Sequence, residues 1–267
     1  MRNNFNKIEN FILREVKDVM KDTGSHGYLE GVVGMIKSKM YMDVIREDII
    51  DNKKYFKGKI LDFGTGSGIM AVLVASIGCK SFGIDIKGFD EIDGNTRATE
   101  KMEIDQKKIW LRFEKKYKNL RLTHYKNKIP FEDNFFDVVI AYAVLEHISD
   151  KEIPRVMKEI KRVLKPNGYL FISRLPRKLS YIEHLAKLMK IGHHKRLYGD
   201  KEIVNLLKDE GFKIKEFYLS DLIPSYPLNM INRFYPVLRL INKFLLLTPF
   251  KYFAHDIRIL SQVKKSS

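Results

Sequence analysis

The amino-acid sequence predicts an α/β fold in which a mostly parallel sheet carries helices on both faces. Five short apolar runs have the length and composition of strands, and helical or mixed segments separate most of them: 59–63, 80–85, 119–124, 136–142 and 168–174. Strands that alternate with helices favour a doubly wound, parallel sheet. Two further segments, 212–219 and 255–263, bring the expected total to seven strands.

The same patterns divide the chain into three expected parts. Apolar residues at spacings of three and four predict helices within 1–57, which we expect to form an N-terminal helical cap. Residues 58–220 contain the first six predicted strands and form the expected core. Residues 221–267 comprise a basic amphipathic insertion and the final strand.

The composition is that of a globular protein with a basic excess. Of the 267 residues, 45% are apolar, which excludes intrinsic disorder as a general description. The formal net charge is +16, and residues 176–267 hold 17 basic against 8 acidic side chains, so we expect an acidic partner to bind there. The single cysteine, Cys79, excludes an intramolecular disulfide and a multi-cysteine zinc site. Residues 1–10 are polar and no apolar run approaches about 18 residues, so we expect a cytoplasmic protein.

The most informative segment is a glycine-rich turn between a predicted strand and a predicted helix. Gly64, Gly66 and Gly68 let the backbone approach a ligand closely, and the following helix N-terminus offers free N–H groups. Asp85 ends the next strand, where a carboxylate accepts hydrogen bonds from both hydroxyls of a ribose. The third glycine comes one residue earlier than in the G-x-G-x-x-G motif of nicotinamide enzymes, so the spacing favours S-adenosylmethionine. The alternative is a tight turn that binds no ligand.

Three further segments extend this pattern along the chain: Ile129–Ile140 (IPFEDNFFDVVI), Ala143–Ile148 (AVLEHI) and Val163–Ile172 (VLKPNGYLFI). With the glycine-rich turn, they make residues 58–220 resemble class I S-adenosylmethionine-dependent methyltransferases, especially those of ubiquinone and menaquinone biosynthesis. The resemblance implies a Rossmann-like fold, S-adenosyl-L-methionine as cofactor and methyl transfer as activity. It does not specify the acceptor, and the stretch 86–118 matches no pattern of the family.

The resemblance also implies roles for individual residues. Asp62 would support the amino group of the methionine moiety, and Asp85 would hold the ribose hydroxyls. Relatives carry an acid after the third strand for the adenine amino group; in this chain Asn127 would substitute for that acid as an acceptor, and backbone groups are the alternative. The segment Tyr142–His147 would flank the transferring methyl group. The cofactor-binding residues implied in this way are Asp62, Gly64, Thr65, Gly66, Gly68, Asp85 and Asn127.

Candidate catalytic residues follow the fourth predicted strand. A base is required only when the acceptor is a hydroxyl, a phenol or an acidic carbon, because the methyl group of the cofactor is already activated. His147 is the leading candidate, since imidazole titrates near neutrality. The alternative for His147 is a structural role beside Glu146. Tyr142, Glu146 and Arg174 are further pocket candidates, with ordinary packing or solvation as the alternative.

Metal binding is not expected from the sequence. The adjacent histidines His193 and His194 have the appearance of a metal-binding pair. A zinc site takes three or four protein ligands, and the sequence indicates no third ligand nearby. We therefore expect two solvated loop histidines.

The basic excess predicts the nature of the acceptor and its surroundings. Residues 222–254 contain four basic residues and no acidic one. As a helix they present two faces, one apolar (Phe234, Val237, Leu238, Ile241, Phe244 and Leu245) and one polar (Asn232, Pro236, Arg239 and Lys243), with Pro236 near the first turn. Such a helix suits an anionic membrane surface, and a lid over the substrate or a dimer helix are the alternatives.

A second basic segment favours the same type of acceptor. Residues 176–199 hold six basic residues against one acid, Glu183, and related enzymes use this stretch for the acceptor. We therefore expect methyl transfer to oxygen or carbon of a small-molecule or lipid-linked acceptor, by a protein that is cytoplasmic and peripheral at the membrane.

Two other functions stay open at this point. An RNA-modifying methyltransferase agrees with the charge, but Ala141–Val144 stands where amino-methylating nucleic-acid enzymes carry Asp/Asn-Pro-Pro-Tyr/Phe, so nucleic acid ranks second. A catalytically silent, cofactor-binding regulator agrees with the glycine-rich motif as well as an enzyme does. A homodimer is also open.

Overall fold

A computed structural model describes residues 2–25, 27–86, 100–190, 194, 196–223 and 229–264. The fold is α/β, with a seven-stranded, mixed and mostly parallel sheet, which confirms the fold class that the sequence predicts. The chain divides into an N-terminal unit, Met1–Lys128 with Tyr226–Arg233, and a C-terminal unit, Ile129–Ser225 with Phe234–Ser267. In the described parts of the chain, no helix is both long enough and apolar enough to cross a membrane.

The N-terminal unit combines helices with three parallel strands. Its described elements are α1 (Arg2–Thr23), α2 (Tyr28–Lys37), α3 (Lys39–Asp51), β1 (Lys59–Phe63), α4 (Ile69–Ser76), β2 (Lys80–Ile86), α5 (Glu100–Lys116) and β3 (Leu120–Tyr125). Strand β2 lies between β1 and β3, with Asp62 opposite Gly83 and Asp85 opposite His124. Because parallel strands end at the same edge of a sheet, this register brings the residues that follow β1 and β2 close together.

Helix α1 shows why the first residues are helical. Its apolar side chains recur at spacings of three and four and are all buried: Phe5, Ile8, Ile12, Val16 and Val19. That stripe packs against α2, α4 and α5. The helices predicted within 1–57 are therefore confirmed as α1 to α3, and the boundary at residue 57 stays a prediction.

The C-terminal unit contains the other four strands in the order β4-β5-β7-β6. Its described elements are β4 (Phe136–Tyr142), a 3-10 helix (Leu145–His147), α6 (Ile153–Val163), β5 (Leu164–Pro176), α7 (Tyr181–Leu188), α8 (Asp200–Asp209), β6 (Phe212–Ser220), a second 3-10 helix (Pro249–Phe253) and β7 (Asp256–Val263). Strand β7 runs antiparallel to both neighbours, so Asp256 at its start pairs with Pro176 and Ser220 at the ends of β5 and β6. Helix α9 (Asn229–Leu246) begins in residues of the N-terminal unit and continues in the C-terminal one.

Two details differ from the sequence predictions. Strand β5 begins at Leu164 rather than at residue 168, because residues 165–168 are absorbed as an irregularity of the β4–β5 pairing, with Asn167 at φ +64°. Helix α9 begins at Asn229, so Pro236 lies two turns inside it rather than near its first turn.

Arg177 holds the end of β5 in place and does not face solvent, although the sequence groups it with the basic residues of the acceptor site. Its guanidinium donates to both carboxylate oxygens of Asp200, at 2.8 and 2.7 Å, and to the carbonyls of Tyr252 and Ala254. The side chain is fully buried. Burying a guanidinium is tolerated only when its N–H groups are hydrogen-bonded, so this charge is structural.

Replacing Arg177 with methionine should therefore destabilise the protein. We expect Arg177→Met to lower the free energy of unfolding by about 3 kcal/mol, since it leaves Asp200 and two carbonyls without their donor. The adjacent Lys178 is the control: its side chain is 60% exposed and pairs with Glu202, so Lys178→Met should cost no more than about 1 kcal/mol. Urea unfolding measures both values, and equal losses for the two variants would contradict a structural role for Arg177.

Candidate functional site

The turn that connects β1 to α4 is a glycine-rich loop with an unusual backbone. Gly64, Gly66 and Gly68 all have positive φ, at +73°, +51° and +87°. A Cβ atom at Gly68 would lie 3.2–3.5 Å from side chains of α5 and β3, whereas a Cβ atom at Gly66 would meet no protein atom within 4 Å. Position 66 therefore favours glycine because of its positive φ and not because of crowding by protein atoms. The missing side chain leaves open space beside the loop, into which a ligand can fit.

Asp85 fixes this loop from the end of β2. One carboxylate oxygen accepts the N–H of Gly66 at 2.7 Å, and the other accepts the N–H of Ile86 at 2.8 Å. Burial raises the pKa of Asp85 to about 6, although these two hydrogen bonds favour the ionised form. Each carboxylate oxygen has a second lone pair, so Asp85 retains the capacity to accept a hydroxyl.

Asp62 lies buried at the end of β1 and is held by Thr65. The Thr65 hydroxyl donates to the Asp62 carboxylate at 2.5 Å. Gly83 makes room for this contact, because a Cβ atom at Gly83 would lie 2.6 Å from the Thr65 hydroxyl oxygen. Burial raises the pKa of Asp62 to about 7, and the nearby charge of Asp85 acts in the same direction. The structure thus brings Asp62, Thr65 and Asp85 together, as the sequence predicts.

The other side of the loop is held by residues that the sequence did not identify. Trp110 and Gln106, both on α5, donate to the carbonyl of Gly66 at 3.1 and 3.3 Å. Gln106 also contacts His124 Nε2 at 3.0 Å, and the rings of Trp110 and His124 lie 4.5 Å apart. These residues come from α5 and β3, and α5 lies within the stretch 86–118 that matches no family pattern. Residues 87–99 of that stretch fall outside the described residues.

Asn127, the predicted substitute for the adenine-binding acid, follows β3 and is exposed. It lies just beyond Tyr125, whose ring is 6.1 Å from that of Phe63 at the end of β1. Its role in adenine binding stays a prediction.

In the C-terminal unit, the predicted catalytic residues follow β4. Tyr142 ends the strand and is buried, and Ala143 turns the chain with φ +50° into the 3-10 helix that carries Glu146 and His147. Glu146 is buried, and burial raises its pKa to about 8. His147 is 47% exposed, and its Nε2 lies 3.9 Å from Glu146 Oε1. The two side chains are therefore adjacent, with the carboxyl group inside and the imidazole facing solvent.

Glu146 belongs to a larger polar cluster that includes His194. Two predictions about this part are wrong: His194 is not a solvated loop histidine, and ligating groups do lie nearby. His194 Nδ1 is 2.8 Å from Glu183 Oε1, and the backbone N–H of His194 donates to Glu183 Oε2. His255 Nε2 lies 3.6 Å from the same Glu183 Oε1. The sequence missed these partners because Glu183 and His255 are 11 and 61 positions away from His194. His193 lies outside the described residues.

Arg174, another candidate pocket residue, lies in β5 beside this cluster. It has φ +56°, and its Nη2 lies 3.9 Å from Asp256 Oδ2 at the start of β7. Arg174 is thus close to a buried carboxylate, and the electrostatics of Glu146 include both Arg174 and Asp256.

A glycine-rich loop pinned by a carboxylate from the next parallel strand defines an α/β domain that binds a nucleoside-containing cofactor. Residues 41–216 match the family model described as "Methyltransferase domain", and the chain belongs to that family. It thus contains a class I S-adenosylmethionine-dependent methyltransferase domain, and its family implies S-adenosylmethionine as cosubstrate.

Curated relatives and solved structures agree with this assignment. The chain is 26% identical over 167 residues to a ubiquinone biosynthesis O-methyltransferase of Pelagibacter ubique, covering 59% of this chain and 62% of the relative. It is 31% identical over 134 residues to a sterol 4-C-methyltransferase of Caenorhabditis elegans, covering 50% of this chain and 36% of the relative. A crystal structure of a SAM-dependent methyltransferase from Aquifex aeolicus has a similar fold, with a TM-score of 0.52, 18% identity and coverage of 81% and 88%.

The residues present fit S-adenosylmethionine. The open space beside Gly66 suits close approach of a ligand to the backbone, and the Asp85 carboxylate suits a ribose diol. Asp62 supplies a second carboxylate for a cationic amino group.

Substitution at the loop should abolish cofactor binding. A valine at position 66 would fill the open space and oppose the positive φ, and Asp85→Ala would remove the carboxylate that pins the loop. We expect each variant to bind S-adenosylhomocysteine at least about tenfold more weakly, measured by calorimetry. Gly78→Val is the matched control, because Gly78 also has positive φ and open surroundings but precedes β2 at its other end. Unchanged affinity in both test variants would contradict the assignment of the loop.

Asp62 should make stability depend on pH. Its folded pKa of about 7 exceeds the value of about 3.9 in an unfolded chain, so the folded protein retains a proton that the unfolded chain releases. The contribution of Asp62 to the free energy of unfolding is therefore fully present below about pH 4 and is lost as the pH rises through about 7. We expect the urea midpoint of the wild type to fall more than that of Asp62→Asn between about pH 5 and 8. Parallel curves would contradict this, and the exposed Asp209→Asn serves as control.

Proposed function

We propose that the protein transfers a methyl group from S-adenosylmethionine to oxygen or carbon of an apolar, lipid-like acceptor at the surface of an anionic membrane. The observation that carries the proposal is the exposed apolar face of α9. The cofactor follows from the family and the loop, and the acceptor is argued here from the surface of the C-terminal unit.

Helix α9 is attached to its unit by polar residues. Asn242 is fully buried, and its side-chain oxygen accepts the N–H groups of Leu222 and Ile223 at 2.8 and 3.0 Å. Arg239, which the sequence placed on the polar outer face, points inward and lies 4.0 Å from Asp221. The inner side of the helix is therefore the more polar one.

The outer side of α9 is apolar. Leu240 is 71% exposed, and further exposed side chains continue the surface: Phe234, Val237, Ile241, Phe244 and Leu247. Four of the six residues predicted for the apolar face, Phe234, Val237, Ile241 and Phe244, are exposed, while Leu238 and Leu245 are half-buried. A helix with large apolar residues outside and polar anchors inside is the reverse of an ordinary surface helix. Such a surface marks an interaction site.

Other segments of the same unit also expose apolar side chains and positive charge. Phe250, Tyr252 and Phe253 are exposed around the second 3-10 helix, and Leu185, Leu188 and Met189 are exposed at α7. Lys187, Lys190, Lys243 and Lys251 are exposed as well, and residues 222–254 contain no acid. Apolar side chains combined with lysines suit a membrane that carries anionic lipids. A lid or a dimer contact explains the apolar residues but not the absence of acids.

The names of the relatives agree with an apolar acceptor. One is named for ubiquinone biosynthesis and one for sterol methylation. The first two relatives are covered over 62% and 36% of their length, so the acceptor of this chain is inferred from its own surface.

The chemistry requires mainly that the acceptor be held in line. Bound S-adenosylmethionine supplies a methyl group on a sulfonium sulfur, and the neutral thioether that leaves requires no protonation. The chain's own contribution is to hold the loop of Gly66 with Asp85 and to orient the acceptor, and orientation accounts for a large part of the rate. For a hydroxyl or phenol acceptor, His147 would take the proton, and its exposed imidazole can pass that proton to solvent. Tyr142, at the end of β4, would line the acceptor side.

The proposal predicts where a labelled methyl group goes. With S-adenosylmethionine labelled in its methyl group and a cell lipid extract in phosphatidylglycerol vesicles, we expect label in the organic phase. Leu240→Ser combined with Phe244→Ser should reduce vesicle co-sedimentation and transfer at least about tenfold, since each buried Leu or Phe contributes about 1.5–3 kcal/mol. The same double variant should keep its activity when detergent micelles present the lipids. Leu111→Ser, an identical change at an exposed position of α5, is the matched control.

The other outcomes separate the remaining functions. Label in the RNA fraction would favour the nucleic-acid alternative, and bound cofactor without label in any fraction would favour a silent regulator. Full vesicle binding by the double variant would contradict the membrane role of α9. A change in sedimentation of the double variant would then assign the face to a dimer contact, and a raised KM in micelles would assign it to a lid.

A further inference from the structure

We propose that Glu183, His194 and His255 form a binding site for one divalent transition-metal ion of the Zn²⁺ type. Each residue offers one ligating atom, and the three atoms all lie within 4.8 Å of one another. Glu183 Oε1 is 2.8 Å from His194 Nδ1 and 3.6 Å from His255 Nε2. Two imidazoles and one carboxylate are the donor set of three-ligand zinc sites, in which a water or substrate oxygen takes the fourth position.

The fold prepares these ligands from three separate segments of the C-terminal unit. Glu183 lies in the first turn of α7, His194 follows that helix, and His255 directly precedes β7. The backbone of His255 is fixed on both sides: its N–H donates to the Asp221 carbonyl, and its own carbonyl accepts the N–H of Arg177, each at 2.9 Å. The position of His255 is therefore set by backbone contacts.

Ser180 orients the ring of His255. It is the N-cap of α7 and accepts the N–H of Glu183 at 3.2 Å, while its hydroxyl oxygen lies 2.8 Å from His255 Nδ1. This contact engages Nδ1 and turns Nε2 toward the Glu183 carboxylate. Metal-ligating histidines commonly use their second ring nitrogen in this way, to fix ring orientation and tautomer.

The surroundings contain further buried carboxyl groups. Besides Glu183, the carboxyl groups of Glu146 and Asp256 are buried close to the two histidines, and His255 Nε2 lies 3.5 Å from Asp256 Oδ1. Within the described part of the chain, Glu146 Oε2 is buried without a hydrogen-bond partner. Arg174, 3.9 Å from Asp256, is the cation on the β5 side. A divalent ion would supply a further cation to this group, because each buried carboxyl group requires a cation, a proton or hydrogen-bond donors.

The site is reachable from solvent. The His194 side chain is 35% exposed, while Glu183 and His255 lie deeper. An ion bound there would have protein ligands on its inner side and an open coordination position on the side of His194. An oxygen atom of a water molecule or of a small ligand fits that position.

A metal titration of the full-length protein tests the proposal. After treatment with a chelator and its removal, we expect one Zn²⁺ per chain by calorimetry and a higher unfolding temperature in the presence of Zn²⁺. Co²⁺ should give the visible absorption of a four-coordinate site. Zn²⁺ uptake well below one equivalent, or Zn²⁺ without effect on unfolding, would overturn the proposal and identify the cluster as a hydrogen-bonded ion pair network.

Two variants and one control locate the ion. His194→Ala and Glu183→Gln should each weaken Zn²⁺ binding by at least about tenfold and abolish the Co²⁺ spectrum. His184→Ala is the control, since His184 is an exposed histidine of the same helix, α7. Because His194 is partly exposed, its variant keeps the test valid if Glu183→Gln fails to fold. Equal Zn²⁺ affinity in wild type and His194→Ala would overturn the assignment. Cofactor affinity, measured in parallel, reports separately on the methyltransferase function.

Discussion

Buried carboxylates at the ends of strands are the constraint on which both units depend. Asp62 and Asp85 end β1 and β2, Asp221 follows β6, and Asp256 begins the antiparallel β7 at the edge where β5 ends. A buried carboxylate is costly unless donors or cations surround it. The contacts around these acids therefore determine the local backbone: the glycine-rich loop in one unit, and the junction of α7, α9 and β7 in the other.

The cofactor loop could be predicted because its determinants are local. The glycines, Asp62 and Thr65 lie within seven residues, and Asp85 follows at the end of the next strand. The residues on the other side of the loop could not be predicted in the same way. Trp110 reaches the Gly66 carbonyl across 44 positions of sequence, and helical periodicity gives no information about a contact at that distance. The fold class follows from periodicity alone, whereas the site depends on tertiary packing.

Charge in the sequence does not give the role of individual basic residues. Arg177 is counted among the basic residues of the acceptor segment, yet four hydrogen bonds bury it beneath the second 3-10 helix. Arg239 likewise turns inward toward Asp221. Net charge describes a surface only after the paired and buried cations are removed from the count. Lys187 and Lys243 are exposed on α7 and α9, the helices that also expose apolar side chains.

In the C-terminal unit, the same elements have one polar and one apolar side. Helix α7 directs Glu183 into the polar cluster and exposes Leu185 and Leu188 on its outer surface. The segment before β7 exposes Phe253 and then, two positions later, contributes His255 to the cluster. An acceptor with an apolar body and one polar group matches this division, because its body can stay in lipid while its polar group meets the cluster. Under the proposed function, the charge state of the cluster, with or without a metal ion, would therefore act on the polar group of the acceptor and not on its apolar body.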